Sequence, residues 1–161
     1  MSKIKQLLKD NNSVLVFDVD GVLALMEFGE RNHYYACDEE WDNEVDNGLN
    51  LYTEDKVSKK MQNFLKNKNM NKIYVITTIG VNKEGEYKKE YLKKYYNILD
   101  KNIYFVNKNR DKTSELIKIR NLNNDVADEH IIMIEDTTDI LTDIQDNTNF
   151  STAHISSFLD I

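Results

Sequence analysis

The sequence predicts a three-layer α/β protein, Rossmann-like, with a central parallel sheet, helices on both faces and one small lid insertion. Three observations lead there. Four short apolar runs, VLVF (14–17), IYVIT (73–77), NIYFV (102–106) and HIIMI (130–134), are rich in β-branched and aromatic residues and too short for helices, so they read as buried strands. Helically spaced segments separate them, and alternation of strand with helix is the pattern of a parallel sheet covered on both sides. The 161 residues are one domain's worth of chain, and 40% hydrophobic content is enough for a core and too much for a disordered tail.

Residues 1–12 carry basic and only isolated apolar side chains, so no secretory leader is expected. VLVF follows as the first strand. Residues 24–52 then break the rhythm, with no clear period, two glycines and aromatics scattered among acids, and are expected to form a lid or small insertion. Thr53 as N-cap, with Glu54 and Asp55 in the first turn, predicts a helix whose buried stripe is Val57, Met61, Phe64 and Leu65. After IYVIT, Tyr87, Tyr91, Leu92 and Tyr95 mark a second helix. Leu116 and Ile117 mark a third after NIYFV, and Ile140, Leu141 and Ile144 a fourth after HIIMI. FSTAHI (150–155) is a weaker fifth strand. These stripes read as core faces.

No apolar run approaches the roughly 18 residues of a membrane span, so no membrane partner is expected. The single cysteine, Cys37, excludes an intrachain disulfide and a Cys-rich metal site, and a reduced cytoplasmic setting is the expectation. The net charge of −7 is uneven: residues 83–120 hold 11 basic against 6 acidic side chains, residues 121–161 none against 9. An acidic chain is a poor general binder of nucleic acid, whose affinity rests on many phosphate contacts from Lys and Arg. The basic stretch suits a solvated helix face or a small anion.

Ligands of open α/β sheets bind outside the carboxyl ends of the strands. The first strand ends in Asp18-Val19-Asp20-Gly21, the second in Thr77-Thr78, and the fourth in Glu135-Asp136 with Asp139 one turn on. The third leads to Arg110-Asp111-Lys112-Thr113 at a helix entrance. Carboxylates converging there repel one another unless a cation sits among them. All-oxygen donors without His or Cys suit Mg²⁺, which shares phosphate oxygens with its carboxylates. Lys112 and a threonine hydroxyl would take the remaining phosphate oxygens. A loop freed by Gly21 would turn both Asp18 and Asp20 to one ligand, one to attack phosphorus and one to handle the leaving-group proton.

Four motifs in order, VLVFDVDGVLA (14–24), IYVITT (73–78), Lys112 and IIMIEDTTDI (131–140), resemble the haloacid dehalogenase superfamily of aspartate-nucleophile phosphatases. The resemblance implies Asp18 as nucleophile and Mg²⁺ ligand, and Asp20 as general acid/base whose backbone carbonyl also faces the metal. It implies Thr77 as the phosphate-binding hydroxyl with Thr78 behind it, Lys112 as the lysine neutralising nucleophile and phosphate, and Asp136 as the acidic metal ligand. Asp139 and Glu135 would be supporting acids, Glu135 standing where the family often has Asp or Gly. DGVLA, RDKT and YKKEYLKKYY (87–96) are most similar to the 5'(3')-deoxyribonucleotidase branch, whose helical cap is longer than residues 24–52 allow.

The expected activity is Mg²⁺-dependent hydrolysis of a small phosphate monoester, a nucleoside monophosphate favoured, through an aspartyl-phosphate. Trp41, like Phe28, Tyr34 and Tyr35, would either stack on a base or pack the lid down. A polynucleotide or protein phosphatase of the same superfamily, a phosphotransferase and a non-catalytic binding module stay open as alternatives. The acidic lid, with Arg31 its single basic residue, argues against a polynucleotide. His33, His130 and His154 lack metal-ligand spacing, and Cys37 has no activating neighbour. The absence of GxSxG, P-loop and GxGxxG patterns removes serine hydrolase, NTPase and dinucleotide readings.

Overall fold

A computed structural model describes residues 2–25, 28, 29, 32, 33 and 38–159, with 28, 29, 32 and 33 by backbone alone. Helix α1 (Lys3–Lys9) leads into strand β1 (Val14–Phe17). The insertion holds an antiparallel pair, β2 (Phe28–Gly29) with β3 (Asn32–His33), and helix α2 (Asp38–Asp46). Then come α3 (Lys59–Leu65), β4 (Ile73–Thr78), α4 (Asn82–Tyr96), β5 (Ile103–Val106), α5 (Lys112–Leu122), β6 (Ile131–Glu135), α6 (Thr138–Asn147) and β7 (Ser151–His154). Arg31, Tyr34, Tyr35 and Cys37, and the side chains of Phe28 and His33, lie outside the described residues.

The five strands β1, β4, β5, β6 and β7 form one sheet in the order β5-β4-β1-β6-β7, and every pairing is parallel. Side-chain alternation along each strand divides the core in two. One face carries Leu15, Phe17, Ile73, Val75, Ile132 and Ile134 against Leu8 of α1, Met61 of α3 and Leu92 of α4. The other carries Val14, Val16, Tyr74, Ile76, Ile131 and Met133 against Leu116 and Ile119 of α5 and Ile140 and Ile144 of α6. The runs of β1, β4 and β6 are therefore buried on both faces, which is why they read as continuous rather than alternating. Strand β5, expected as a buried strand too, lies at the sheet edge and is only partly covered, with Phe105 36% exposed. The chain winds from β1 to β4 and β5, then returns to β6 and β7 on the far side. Strand order thus reverses beside β1, and the crevice of such a sheet opens at the carboxyl ends there. Among the described residues no helix is long and apolar enough to cross a membrane.

Three local expectations need correcting. Thr53 heads only a 3-10 turn, Glu54–Lys56, because its hydroxyl turns to the Asp55 carboxylate and Val57 is extended, bridging to Ala24. The α-helix starts later, where the Ser58 hydroxyl accepts from the Met61 N–H at 3.3 Å. On α5, Ile117 is 42% exposed and Ile119 is buried with Leu116, so the core stripe runs at i, i+3. The insertion is not aperiodic throughout: α2 forms with Asp38, Glu39 and Glu40 in its first turn, where acids favour the helix dipole, and buries Val45.

Candidate active site

The site begins where β1 leaves the sheet. The Asp18 N–H still bonds the Ile134 carbonyl at 3.0 Å, and the chain then folds tightly over residues 19–24. The Val19 carbonyl accepts from the N–H groups of Val22, Leu23 and Ala24 at 3.2, 2.9 and 2.8 Å. The tyrosine stripe of α4 clamps this turn, since the hydroxyls of both Tyr91 and Tyr96 donate to the Leu23 carbonyl. Gly21 is required twice over. Its φ is +74°, and a Cβ placed there would meet the Asp136 carboxylate oxygen at 2.1 Å. Gly21→Ala is expected to cost about 1–2 kcal/mol from the left-handed backbone alone, and to push Asp136 away. Urea denaturation checks the first effect and Mg²⁺ titration by calorimetry the second.

Asp18, from the end of β1, and Glu135 and Asp136, from the end of β6, bring one carboxylate oxygen each within 4.8 Å of one another. Lys112, the first residue of α5 and only 2% exposed, is driven between them. Its Nζ lies 2.7 Å from Glu135 Oε2 and 3.1 Å from Asp18 Oδ1. The second approach is poorly aligned, so Asp18 Oδ1 is buried with no hydrogen bond among the described residues. Glu135 is fully engaged, because its other oxygen accepts from the N–H groups of Asp136 and Thr137 at 3.0 and 3.2 Å. It acts as the holder of Lys112. Asp136 is exposed, and its carbonyl is anchored by His154. The Ser156 N–H donates to His154 Nδ1, which leaves Nε2–H to donate to the Asp136 carbonyl at 3.0 Å.

The Lys112 ammonium pairs with two of the three clustered carboxylates, Asp18 and Glu135, and the electrostatics follow. Burial pushes the Asp18 carboxyl above its ordinary range, Lys112 draws it back, and the charge of Asp20 adds to the rise. Burial and Asp18 likewise push Glu135 up to about 8 against the pull of Lys112. Burial alone would lower Lys112, but Asp18 and Glu135 outweigh it and hold the ammonium above the usual lysine value. The cluster has room for more positive charge.

Asp20 stands apart from that group. Its Oδ2 is 2.7 Å from Lys88 Nζ, and its Oδ1 accepts from the Tyr52 hydroxyl at 3.0 Å. Thr77 is wholly buried, and its hydroxyl accepts from Lys88 at 3.1 Å, so it stands behind Lys88 and not at the open rim. Thr78, half-buried, donates its hydroxyl to Asn109 at 2.6 Å. Asp139 is exposed on the first turn of α6 and does not join the three clustered carboxylates. Trp41 is half-buried on α2 and packs against the core cluster, which favours its lid-packing role over an open stacking surface. His130 is structural, paired through Nδ1 with the Ser13 hydroxyl at 3.0 Å.

No model of a known protein family and no curated protein matches the chain.

Lys88, Glu84 and Tyr52 were not singled out from the sequence as site residues. Lys88 is completely buried on α4, with Nζ also reaching Glu84 Oε1 at 2.8 Å and the Thr78 carbonyl at 2.6 Å. A signal existed. Lys88 and Glu84 are one turn apart and continue the buried Tyr91 stripe of α4, where an ordinary solvated lysine does not belong.

Proposed function

We propose that this protein is a Mg²⁺-dependent phosphohydrolase of the haloacid dehalogenase type, acting on a small phosphate monoester through an aspartyl-phosphate. The observation that carries the reading is the pairing of a buried Asp18, one oxygen lacking a hydrogen bond, with the buried cation Lys112 at the switch point of a parallel sheet. The donor set fits Mg²⁺: oxygen ligands alone, and carboxylates in excess of the ammonium beside them. Asp18, Asp136 and the Asp20 backbone carbonyl would hold the ion, and bound Mg²⁺ supplies charge neutralisation between nucleophile and phosphate.

The chain's own residues perform the rest. A carboxylate oxygen of Asp18 attacks phosphorus, forming the aspartyl-phosphate as the ester P–O bond breaks. Asp20, entering the cycle in its protonated form, gives that proton to the departing oxygen. As a carboxylate it then takes one from the water that attacks the phospho-enzyme, releasing phosphate and restoring both Asp18 and protonated Asp20. Lys112 offsets the negative charge of nucleophile and phosphate throughout, and Glu135 keeps it aimed at Asp18. A nucleoside monophosphate is the favoured substrate, since a polymer would bring further phosphates against the acidic residues of the insertion.

The test is a thermal melt with Mg²⁺ and beryllofluoride, a phosphate mimic that loads an aspartate nucleophile, run beside hydrolysis of p-nitrophenyl phosphate. Joint stabilisation exceeding the sum of the separate effects is expected, about 2.7 kcal/mol when the ligand is at 100 times its Kd. An additive response together with no Mg²⁺-dependent hydrolysis rejects the proposal in favour of a non-catalytic module.

A further inference from the structure

Asp20 is held by a buried network that reaches it from two other parts of the chain. Tyr52, where the insertion returns to the sheet, lies 4% exposed with its hydroxyl 3.0 Å from Asp20 Oδ1 and 2.9 Å from Glu84 Oε1. Lys88 sits on the other side of Asp20 and bonds the same Glu84 oxygen. Glu84 Oε2 in turn accepts from the Gly80 N–H at 2.9 Å, tying the network to the loop that follows β4. The phenol ring packs edge-on against Tyr91, with centroids 5.9 Å apart, so Tyr52 has little freedom to leave.

We propose that Tyr52, backed by Glu84 and Lys88, is a positioning residue that fixes the Asp20 carboxylate for proton transfer. The inference rests on the phosphohydrolase reading and goes beyond it, since Tyr52 touches neither phosphate nor nucleophile. An acid 36% exposed on its side chain, at the edge of a turn, would otherwise sample several rotamers. Two opposed contacts, one per carboxylate oxygen, select one. The phenol is the donor in this group, since its hydroxyl lies within 3.0 and 2.9 Å of two carboxylate oxygens that accept. With one hydrogen for two carboxylate oxygens, it serves Asp20 or Glu84 by rotation about its C–O bond, without moving the ring.

The consequence is specific to the leaving group. An ester with a poor leaving group needs the proton from Asp20, whereas p-nitrophenolate departs without much help. Tyr52→Phe, which keeps the ring and its packing, is expected to lower kcat about tenfold for an alkyl phosphate. For p-nitrophenyl phosphate the loss should stay under about twofold, with KM unchanged for both. In an Asp20→Asn background, Tyr52→Phe should add nothing to the loss, because there is no acid left to position. An equal loss for both esters, or a loss that persists beside Asp20→Asn, overturns the inference and assigns Tyr52 a purely structural role. Asp18→Asn separates the two levels. If it abolishes turnover while Tyr52→Phe is indifferent to the leaving group, only this inference fails. If Asp18→Asn stays active, or the native chain is inert toward every ester, the phosphohydrolase reading and the inference fall together.

Discussion

Lys88→Met is expected to destabilise the fold by about 3–5 kcal/mol, the usual cost of removing one partner from a buried ion pair. Lys88 is wholly buried and the Glu84 side chain is only 5% exposed, so the abandoned Glu84 carboxylate cannot recover its hydration. Asp20 contributes less to the loss, because its side chain is 36% exposed and can turn to water. Thr77 and the Thr78 carbonyl lose a donor as well, and methionine replaces only the aliphatic stem. Urea denaturation reads the effect directly. Adding Glu84→Gln should return part of the loss, since the double variant no longer buries an unpaired charge. A loss under about 1 kcal/mol, or no recovery in the double variant, would mean that Lys88 is better hydrated in solution than its position indicates.

Asp18→Asn is expected to abolish turnover of every phosphate ester, a fall of roughly 10⁴–10⁶-fold in kcat, as for removal of a covalent nucleophile elsewhere. The amide is nearly isosteric but cannot attack phosphorus. Stability should hold or rise. Burial dominates the upward push on the Asp18 carboxyl, so its ionised form is the unfavourable one in the folded chain. Lys112 meanwhile keeps Glu135 as a partner at 2.7 Å. Loss of activity with an unchanged or higher melting temperature marks a residue kept for chemistry at the expense of the fold. Retained turnover would remove Asp18 from the mechanism.

Much of the architecture was legible along the chain because its signals are local. VLVF, IYVIT and HIIMI announce strands through β-branched composition and length, and the observed strands Val14–Phe17, Ile73–Thr78 and Ile131–Glu135 coincide with them to within a residue. Parallel order follows from the alternation with helices, and the strand ends bring Asp18, Glu135 and Asp136 together by topology. Other features were blurred by local competition. Thr53 carries a capping residue's side chain, yet its hydroxyl prefers Asp55, two residues on, and the helix waits for Ser58.

Local pattern and topology thus account for the layered sheet and for Asp18, Glu135, Asp136 and Lys112 gathering at its strand ends. How these groups are wired came from packing between distant segments. That Glu135 supports the site by holding Lys112 depended on where α5 starts relative to β6. The burial of Thr77 depended on Lys88 arriving from α4, and the restraint on Asp20 on Tyr52 arriving 32 residues later. Periodicity reports how a side chain sits on its own element, over a few residues. A hydrogen bond between segments depends on the packing of whole elements to within an ångström, and no pattern within one segment encodes that distance.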